Sequence, residues 1–518
     1  MPARARLLLV IVICACLTVP FVSTRTAAAA SIIPTQFIAK IYTEGLGRLP
    51  DQTAWKNEVA YFQSNGCSAS TLSHQGEAIY NSSEFSGFNY DNAAKLLTLY
   101  RGALNREPDT SGFNFNLNAL NNGTTWSAMV TQFFTSSEFN NLVASICTTG
   151  SYNFGTGAAI AIGASGSGFT GGTEAQLQSL LNSTKSGGTV YLAQKTVVTI
   201  DTTSPSATSL VIPAGVTLAT TGLPSTGKYA LMGRLVRVSS FKGVPMVKLD
   251  SGAKLLNVWV DGQRGVPTNY DTNTINIEVE GGSGTTVSNI RDSNTAGWTN
   301  FHALGSKEGA PCASNTITGN VVTAYSSSHY NQEWSDGLSI ACENAVVKNN
   351  SIVDATDVGI VVFRASPAVQ KSTVSNNTVL SAGNPAFGGL VADGLTGINP
   401  NPDFTGTSVN HNTLWSGQNT WFVIGISDGT RAWFGTSSNT GTGASFTYNS
   451  TGTLTAYVNT GIAVSGMLNT TVQNNTLNIV ISPHGHCPED AVAASVSAGY
   501  ASGSIQAYTD VLVSACLN

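Results

Sequence analysis

The chain has 518 residues, long enough for more than one domain. Only 10% of them are charged, against roughly a quarter in ordinary soluble proteins, and Gly, Ser, Thr and Asn carry the polarity instead. A formal net charge of −5 with no basic stripe excludes the electrostatic footprint of a nucleic-acid binder.

The first thirty residues carry Arg4 and Arg6, an apolar run from Leu7 to Val22, and Ala27 to Ala30 before Ser31. This reads as a secretory signal peptide over residues 1–30, too short for a stable anchor. Ile13-Cys14-Ala15-Cys16 supports a competing reading, a loose lipoprotein cleavage site. No other segment is apolar enough to span a membrane. The expected address is therefore outside the cell, secreted or held at the cell surface.

Residues 31–148 hold a duplicated unit. Ile41-Tyr42 followed by Leu46-Gly-Arg-Leu-Pro-Asp51 recurs as Leu99-Tyr100 followed by Leu104-Asn-Arg-Glu-Pro-Asp109, and each copy ends in Ser-Ser-Glu-Phe, at 82–85 and 136–139. Apolar residues three and four apart, as in Leu96, Leu99, Tyr100 and Leu104, predict amphipathic helices, with each Pro-Asp as the break and cap between two of them. The unit resembles a bacterial secreted helical domain of unknown function with the pattern LYR-x-LLGR-x-PD-x-x-G; the first copy departs from it, with Gln52-Thr53-Ala54 where a Gly is usual. That family has no established chemistry, and its Arg–Asp pair is expected to be a helix-end salt bridge.

Residues 149–172 are rich in Gly, Ser, Ala and Thr and read as a linker, so the helical unit is expected to fold on its own. Beyond it, one pattern recurs: Ile-Thr-Gly-Asn-Val at 317–321, Val-Lys-Asn-Asn-Ser-Ile at 347–352, Val-Ser-Asn-Asn-Thr-Val at 374–379, Val-Asn-His-Asn-Thr-Leu at 409–414 and Val-Gln-Asn-Asn-Thr-Leu at 472–477. Asn320, Asn350, Asn377, Asn412 and Asn475 are spaced 30, 27, 35 and 63, the last gap fitting two coils. Such a period marks a solenoid, whose units bury their apolar faces only by stacking. Asn suits the corner because it tolerates left-handed backbone angles and its side chain can hydrogen-bond from coil to coil. Weaker copies at 256–260 and 287–290 extend the register back to Asn257 and Asn289.

A helix beginning at Thr173, the strand Gly187-Gly-Thr-Val-Tyr-Leu and Ile212-Pro-Ala-Gly-Val-Thr-Leu precede these coils. This opening resembles that of the pectate-lyase-like superfamily, which implies a mainly β fold, a right-handed parallel β-helix, over residues 173–482, behind a small N-terminal all-α domain. Residues 483–518 would cap the open end.

Eight cysteines less Cys14 and Cys16 of the leader leave six, an even number suited to disulfides in an oxidising compartment. Cys312 and Cys342 each lie eight residues before a corner Asn, hence one rung apart, and locality adds Cys67–Cys147 and Cys487–Cys516. Zinc is the rival reading, without a C-x-x-C pair to support it.

Aligning strands by their aliphatic residues places His302, Asp336 and Asp357 at the start of equivalent strands on three consecutive coils, as a column on one face. Neighbouring carboxylates raise one another's pKa, so that acid and base coexist near neutral pH. Arg364 follows the third strand and would clamp an acidic sugar's carboxylate; Trp334 would stack on a ring, with His329 and Glu333 beside it. The bland alternative is that Asp before Gly caps a coil corner. Asp261-Gly-Gln-Arg264 reads as a turn, Trp421, Trp433, Phe434, Asp428 and Arg431 as a groove or as packing, and His484-Gly-His486 as a cap loop. No cofactor is expected, calcium being the one cation left open, since the pectate-lyase aspartate cluster is not evident in order. The N-T-D, D-D, G-H-G and R-I-K pattern of polygalacturonases is absent.

Two classes follow: an exported polysaccharide lyase, hydrolase or uronan epimerase using Asp336, Asp357 and His302, or a non-catalytic adhesin-like surface solenoid. Fold alone does not choose between them. The expected partner is a polysaccharide or cell-surface glycan, met by a monomer.

Overall fold

A computed structural model describes residues 32–152, 158–204, 207, 209–264, 274–305, 311–325, 333–362, 371–393, 402–429, 441–464, 467–481 and 511–512. Helices come first: α1 (Thr35–Gly45), α2 (Gln52–Asn65), α3 (Ala69–Tyr80), α4 (Ser83–Gly87), α5 (Asn92–Ala103), α6 (Thr110–Asn121), α7 (Trp126–Phe134) and α8 (Ser137–Thr149). The duplicated sequence fixes their caps. Asp51 and Asp109 accept the backbone N–H of Ala54 and Gly112 at the starts of α2 and α6, and Ser82 and Ser136 accept those of Phe85 and Phe139 at the starts of α4 and α8. The arginines of the repeat work differently from expectation. Arg48 pairs with Glu84 at 2.7 Å and Arg106 with Glu138, so each reaches mainly the Glu of its own Ser-Ser-Glu-Phe; only Arg106 also approaches its Asp, at 3.5 Å.

Helix α9 (Glu174–Ser183) opens the second part with a capping box between Thr173 and Gln176, and lays Leu177 and Leu181 over the first coil's core. The chain then forms a right-handed parallel β-helix. Each coil gives one strand to each of three parallel sheets, as in Val346–Lys348, Ser351–Val353 and Val358–Val362. We call these the outer sheet, the helix-side sheet and the site sheet. Inward residues such as Leu338, Ile340, Val347, Ile352, Ile360 and Val374 fill one continuous core. Val511–Leu512 pairs with Ile462–Ala463 on the site sheet; the rest of the expected cap, with Cys487, Cys516, His484 and His486, lies outside the described residues.

Two adjacent columns make the corner between outer and helix-side sheets. Asn257, Asn289, Asn349, Asn376, His411, Tyr448 and Asn474 adopt left-handed φ of 50–60°, and Gly319 takes the same place. The next residue is the ladder: Asn350 Nδ2 donates to Asn377 Oδ1, Asn377 to Asn412, Asn412 to Asn449 and Asn449 to Asn475, each at 2.9 Å and buried. Each Oδ1 also accepts the backbone N–H of the coil before, so the side chain replaces the missing sheet hydrogen bonds at the bend. The gap after Asn412 holds the second coil its length implied, with its rung at Asn449. One expectation shifts: Asn257 and Asn289 belong to the left-handed column, their coils placing Val258 and Ile290 at the ladder position.

The helices pack on the helix-side sheet and share a core with it. Trp259, Val353, Leu380 and Trp415 of that sheet join Phe37, Ile41, Trp55 and Leu99 in one apolar cluster, and Trp55 stacks on Trp415 with centroids 6.0 Å apart. Within it lies an ion network. Glu44 accepts from Arg101 Nε at 2.9 Å, from the Tyr229 hydroxyl at 2.6 Å and from Arg291; Glu107 accepts from Arg101 and, at 2.8 Å, from Arg234, which also reaches Asp261. Three carboxylates thus meet three guanidiniums, all buried. The segment expected as a linker is held at its far end, where Ser165 pairs with Gln194 and Phe169 with the strand before Ala193.

Cys67–Cys147 and Cys312–Cys342 are bridged, with Cα atoms 5.4 and 4.8 Å apart. The second spacing is one rung, as the shared eight-residue offset requires.

Candidate functional site

The site sheet carries a run of glycines one above another: Gly337, Gly359, Gly389 and Gly425. A Cβ on Gly337 would lie 2.4 Å from the carbonyl of Gly359, one on Gly359 2.8 Å from that of Gly389, and one on Gly389 2.6 Å from that of Gly425. The same Cβ positions point at Ile352, Val379 and Leu414, which face the core. The next residues, Leu338, Ile360, Leu390 and Ile426, are also inward. Two consecutive inward residues break the alternation of a strand and turn the residue before each glycine to the outside. Asp336 precedes Gly337, and so faces out.

Asp336 stands in register with Thr299 and next to Val358 on the following rung. Its Oδ1 accepts the Val358 N–H at 3.0 Å and its Oδ2 accepts the Ser339 hydroxyl at 2.7 Å; that hydroxyl also lies 2.9 Å from the Thr299 hydroxyl. Asp357 precedes Val358, its N–H bonded to Ser335 O at 3.1 Å. Burial, then the charge of Asp357, pushes the Asp336 carboxyl well above the ordinary carboxylate range, despite the two hydrogen bonds that favour ionisation. Burial and a third carboxylate, Asp393, push Asp357 up to about 7. Asp393 closes the strand Ala386–Ala392 and was not singled out in the sequence. A carboxylate ending an aliphatic strand two coils on was its only signal.

His302 occupies a different column. It stands opposite Ser339 and Glu278, not Asp336, and its Nδ1 lies 3.2 Å from Glu278 Oε1. The Trp298 ring meets its imidazole edge-on at 4.8 Å. The expected triple column is therefore two columns: Asp336 beside Asp357, and His302 held by Glu278, with Ser339 linking them. Glu278 and Trp298 are further residues that the aliphatic alignment did not single out.

Trp334 packs edge-on against Phe387 at 4.6 Å. Glu333 is held by buried Arg264, 3.2 Å from its Oε2, and Arg264 Nη1 also donates to Ser335 at 2.8 Å. Asp261 makes the expected turn, accepting the Gln263 N–H at 3.0 Å. Asp428 points inward, in register with Ala392 and Val464; its carboxyl is bonded to the Thr470 hydroxyl and pushed by burial up to about 7, so it lines no groove. His329, Arg364, Arg431, Trp433 and Phe434 lie outside the described residues. Among the described residues no group of three His, Cys, Asp or Glu side chains is arranged to hold a metal ion. No helix among them is long and apolar enough to cross a membrane.

Chemically, the arrangement offers two neighbouring carboxyls raised above the ordinary carboxylate range, Asp357 to about 7, an imidazole oriented by a carboxylate, and flanking aromatic rings. That set can deliver and remove protons at a sugar.

Residues 76–143 match the family model described as "Domain of unknown function (DUF4214)". No curated protein matches the chain. Among solved structures it resembles an endo-xylogalacturonan hydrolase from Aspergillus tubingensis (13% identity, 67% of this chain and 95% of that one, TM-score 0.39), an alginate lyase from Paenibacillus sp. str. FPU-7 (12%, 60% and 98%, 0.34) and the A-module of an Azotobacter vinelandii mannuronan C-5 epimerase (15%, 62% and 96%, 0.33). Likenesses this distant decide nothing about chemistry.

Proposed function

We propose that the chain is an exported, glycan-active enzyme that cleaves or epimerises a polysaccharide by acid–base catalysis at Asp336 and Asp357. The observation that supports this most is the outward-turned pair of carboxyls on neighbouring rungs, Asp336 buried and Asp357 half-buried. Nothing in the folding of a solenoid calls for two neighbouring carboxyls, Asp336 and Asp357, side by side on adjacent rungs, since like charges and burial both cost stability. Asp336, raised by burial and by the charge of Asp357, is assigned the general acid. Asp357, near 7, is the base once it has lost its proton. His302, fixed by Glu278, supplies a second proton-transfer group beside them. Arg364 remains a candidate clamp through its place after the strand Val358–Val362. Residues 1–30 are its leader and the disulfides fit an oxidising compartment. Whether the bond is hydrolysed, eliminated or inverted at C5 is the question a product assay answers.

The test is a polysaccharide panel offered to the secreted protein, following unsaturated products and reducing ends. Activity that survives both Asp336→Asn and Asp357→Asn would sink the assignment. The second reading, a non-catalytic surface protein that binds glycan, rests on the same aromatic rings and is favoured if the panel is bound but unchanged.

A further inference from the structure

The aromatic side chains beside the acids form a strip along the solenoid axis. Trp298, Trp334, Phe387, Trp421 and Tyr457 stand just before or at the start of successive site-sheet strands, and the one coil of the run without an aromatic there carries Asp357. Their rungs are joined directly: Asp336 N–H bonds to Trp298 O at 2.8 Å, Phe387 N–H to Thr356 O at 3.3 Å, and Ala386 N–H to Trp421 O at 3.0 Å. Phe387 and Tyr457 both pack against the small apolar cluster of Trp421, Val423, Ile424 and Ala463.

Past Asp357 this corner meets the helical unit, and two clefts open there. One, of about 440 Å³, has Asn384, Pro385, Asn419 and Trp421 of the solenoid on one wall and Thr148 and Thr149 of α8 on the other. The second, of about 290 Å³, has Gln418, Thr455 and Tyr457 facing Trp55, Lys56 and Gln63 of α2. They begin one rung beyond Asp357 and end three rungs beyond it, about 5 to 15 Å along the axis. The walls are tied across: Asn419 Nδ2 donates to Thr149 O at 3.3 Å, and the Thr453 N–H donates to Gln52 Oε1 at 3.3 Å. The clefts are therefore preformed, and neither volume is far from the lower end of ligand sites, roughly 300–1,000 Å³.

We propose that the helical unit is the far wall of the glycan-binding groove, and that these two clefts are subsites for uncharged sugar residues of the chain lying across Asp336 and Asp357. The lining decides the class. It offers hydroxyl and amide groups for sugar hydroxyls and the half-buried Tyr457 ring for an apolar sugar face, with no carboxylate among the described residues of either cleft and Lys56 the one charged side chain among them. A polyanion gains little there and meets the carboxyls of Asp336 and Asp357 next door. This gives the duplicated helices a task, and it rests on the glycan reading of the neighbouring site.

The experiment uses the intact chain with Asp336→Asn to prevent turnover, and titration calorimetry with cellohexaose, mannohexaose, maltohexaose and hexagalacturonate as probes. Thr148→Trp and Gln63→Trp plug the two clefts from exposed positions of α8 and α2, with Thr148→Ala and Gln63→Ala and a melting curve as folding controls. At least one neutral hexasaccharide should bind, and a plug should weaken it at least about tenfold, a loss of about 1.4 kcal/mol, while its alanine control does not. Binding unchanged by both plugs, binding of hexagalacturonate alone, or no binding of any probe overturns the proposal. The two readings fail separately: a chain that cleaves nothing but loses hexasaccharide binding on plugging keeps the clefts and drops the catalysis, and full turnover with unchanged binding in both plugs does the reverse.

Discussion

Two faces of this solenoid bury carboxylates, and they treat them in opposite ways. Under the helices, Glu44 and Glu107 are fully buried, and burial alone would raise both; Arg101, Arg291 and Arg234 instead hold them below the ordinary carboxylate range. On the site sheet, Asp336 is buried and Asp357 half-buried, but the charge each feels is another carboxylate, Asp357 for the first and Asp393 for the second, and they rise. Desolvation is common to both faces. What differs is the charge that stands opposite, so the same residue type becomes a fixed anion in one place and a proton carrier in the other. Opposite charges set against each other hold two layers together, whereas neighbouring like charges cost stability and are best explained by chemistry.

The contrast can be broken from either side. Arg291→Ala leaves Glu44 without one of its partners inside the interface and should cost about 3–5 kcal/mol, read by urea denaturation; a loss below about 1 kcal/mol would mean that water reaches the network. In the same titration the helices and solenoid should unfold together, because they share a core. Two separated transitions, with proteolysis between 149 and 172 leaving stable halves, would restore two independent units. On the other face, Asp336→Asn and Asp357→Asn should each lower turnover at least about a hundredfold, roughly 2.7 kcal/mol of transition-state stabilisation, with little fall in melting temperature. Carboxylates that merely cap turns would instead lose about 1 kcal/mol of stability and no activity.

Smaller effects sharpen the frame that holds both faces. Asn377→Ala removes the Oδ1 that takes the Asn350 backbone N–H and Nδ2, leaving buried donors unmet at a cost of about 1–3 kcal/mol. Asp109→Ala removes the cap of α6 together with exposed contacts to Ser111 and Arg106, and should cost about 1 kcal/mol. Either could be checked by thermal unfolding, and equal losses would mean that the ladder is no more than a surface feature.

Much of the fold was legible because solenoids write their geometry as repeats. The Asn pairs marked the corner, and the offset of Cys312 and Cys342 gave a rung that the disulfide confirms. The first and second Asn do different jobs, one supplying a left-handed bend and the other a ladder, and on the coils of Asn257 and Asn289 the single Asn takes the bend while Val258 and Ile290 stand at the ladder position. That is why Asn257 and Asn289 looked like ladder rungs. The site was half legible for a related reason. Aligning aliphatics assumes strict alternation, and the stacked glycines break it, so His302 and Asp336 were read into one column. Glycine recurring at 337, 359, 389 and 425 was the available signal. The helix-side network was invisible: Arg234, Asp261 and Arg291 sit at ordinary strand positions, and only the docked helices give them partners.

pH separates the faces further, and its sign follows from the shifts. Glu44 and Glu107 are lowered, so their contribution is present above the ordinary carboxylate range and is lost as pH falls below it. Asp357 is raised from 3.8 to about 7, so the folded chain holds a proton that the unfolded chain has shed, and stability falls as pH rises through that window. Difference infrared spectroscopy of the carboxyl C=O band, comparing the intact chain with Asp336→Asn and Asp357→Asn across pH 4 to 9, reads this directly. The expected result is protonated carboxyl signal that persists to about pH 7 and is missing from each variant in turn, with the acid limb of activity following the same titration. A chain whose carboxyls are all ionised by about pH 5, near the ordinary carboxylate range, would contradict the opposition of the two faces, and with it the assignment of Asp336 and Asp357 as acid and base.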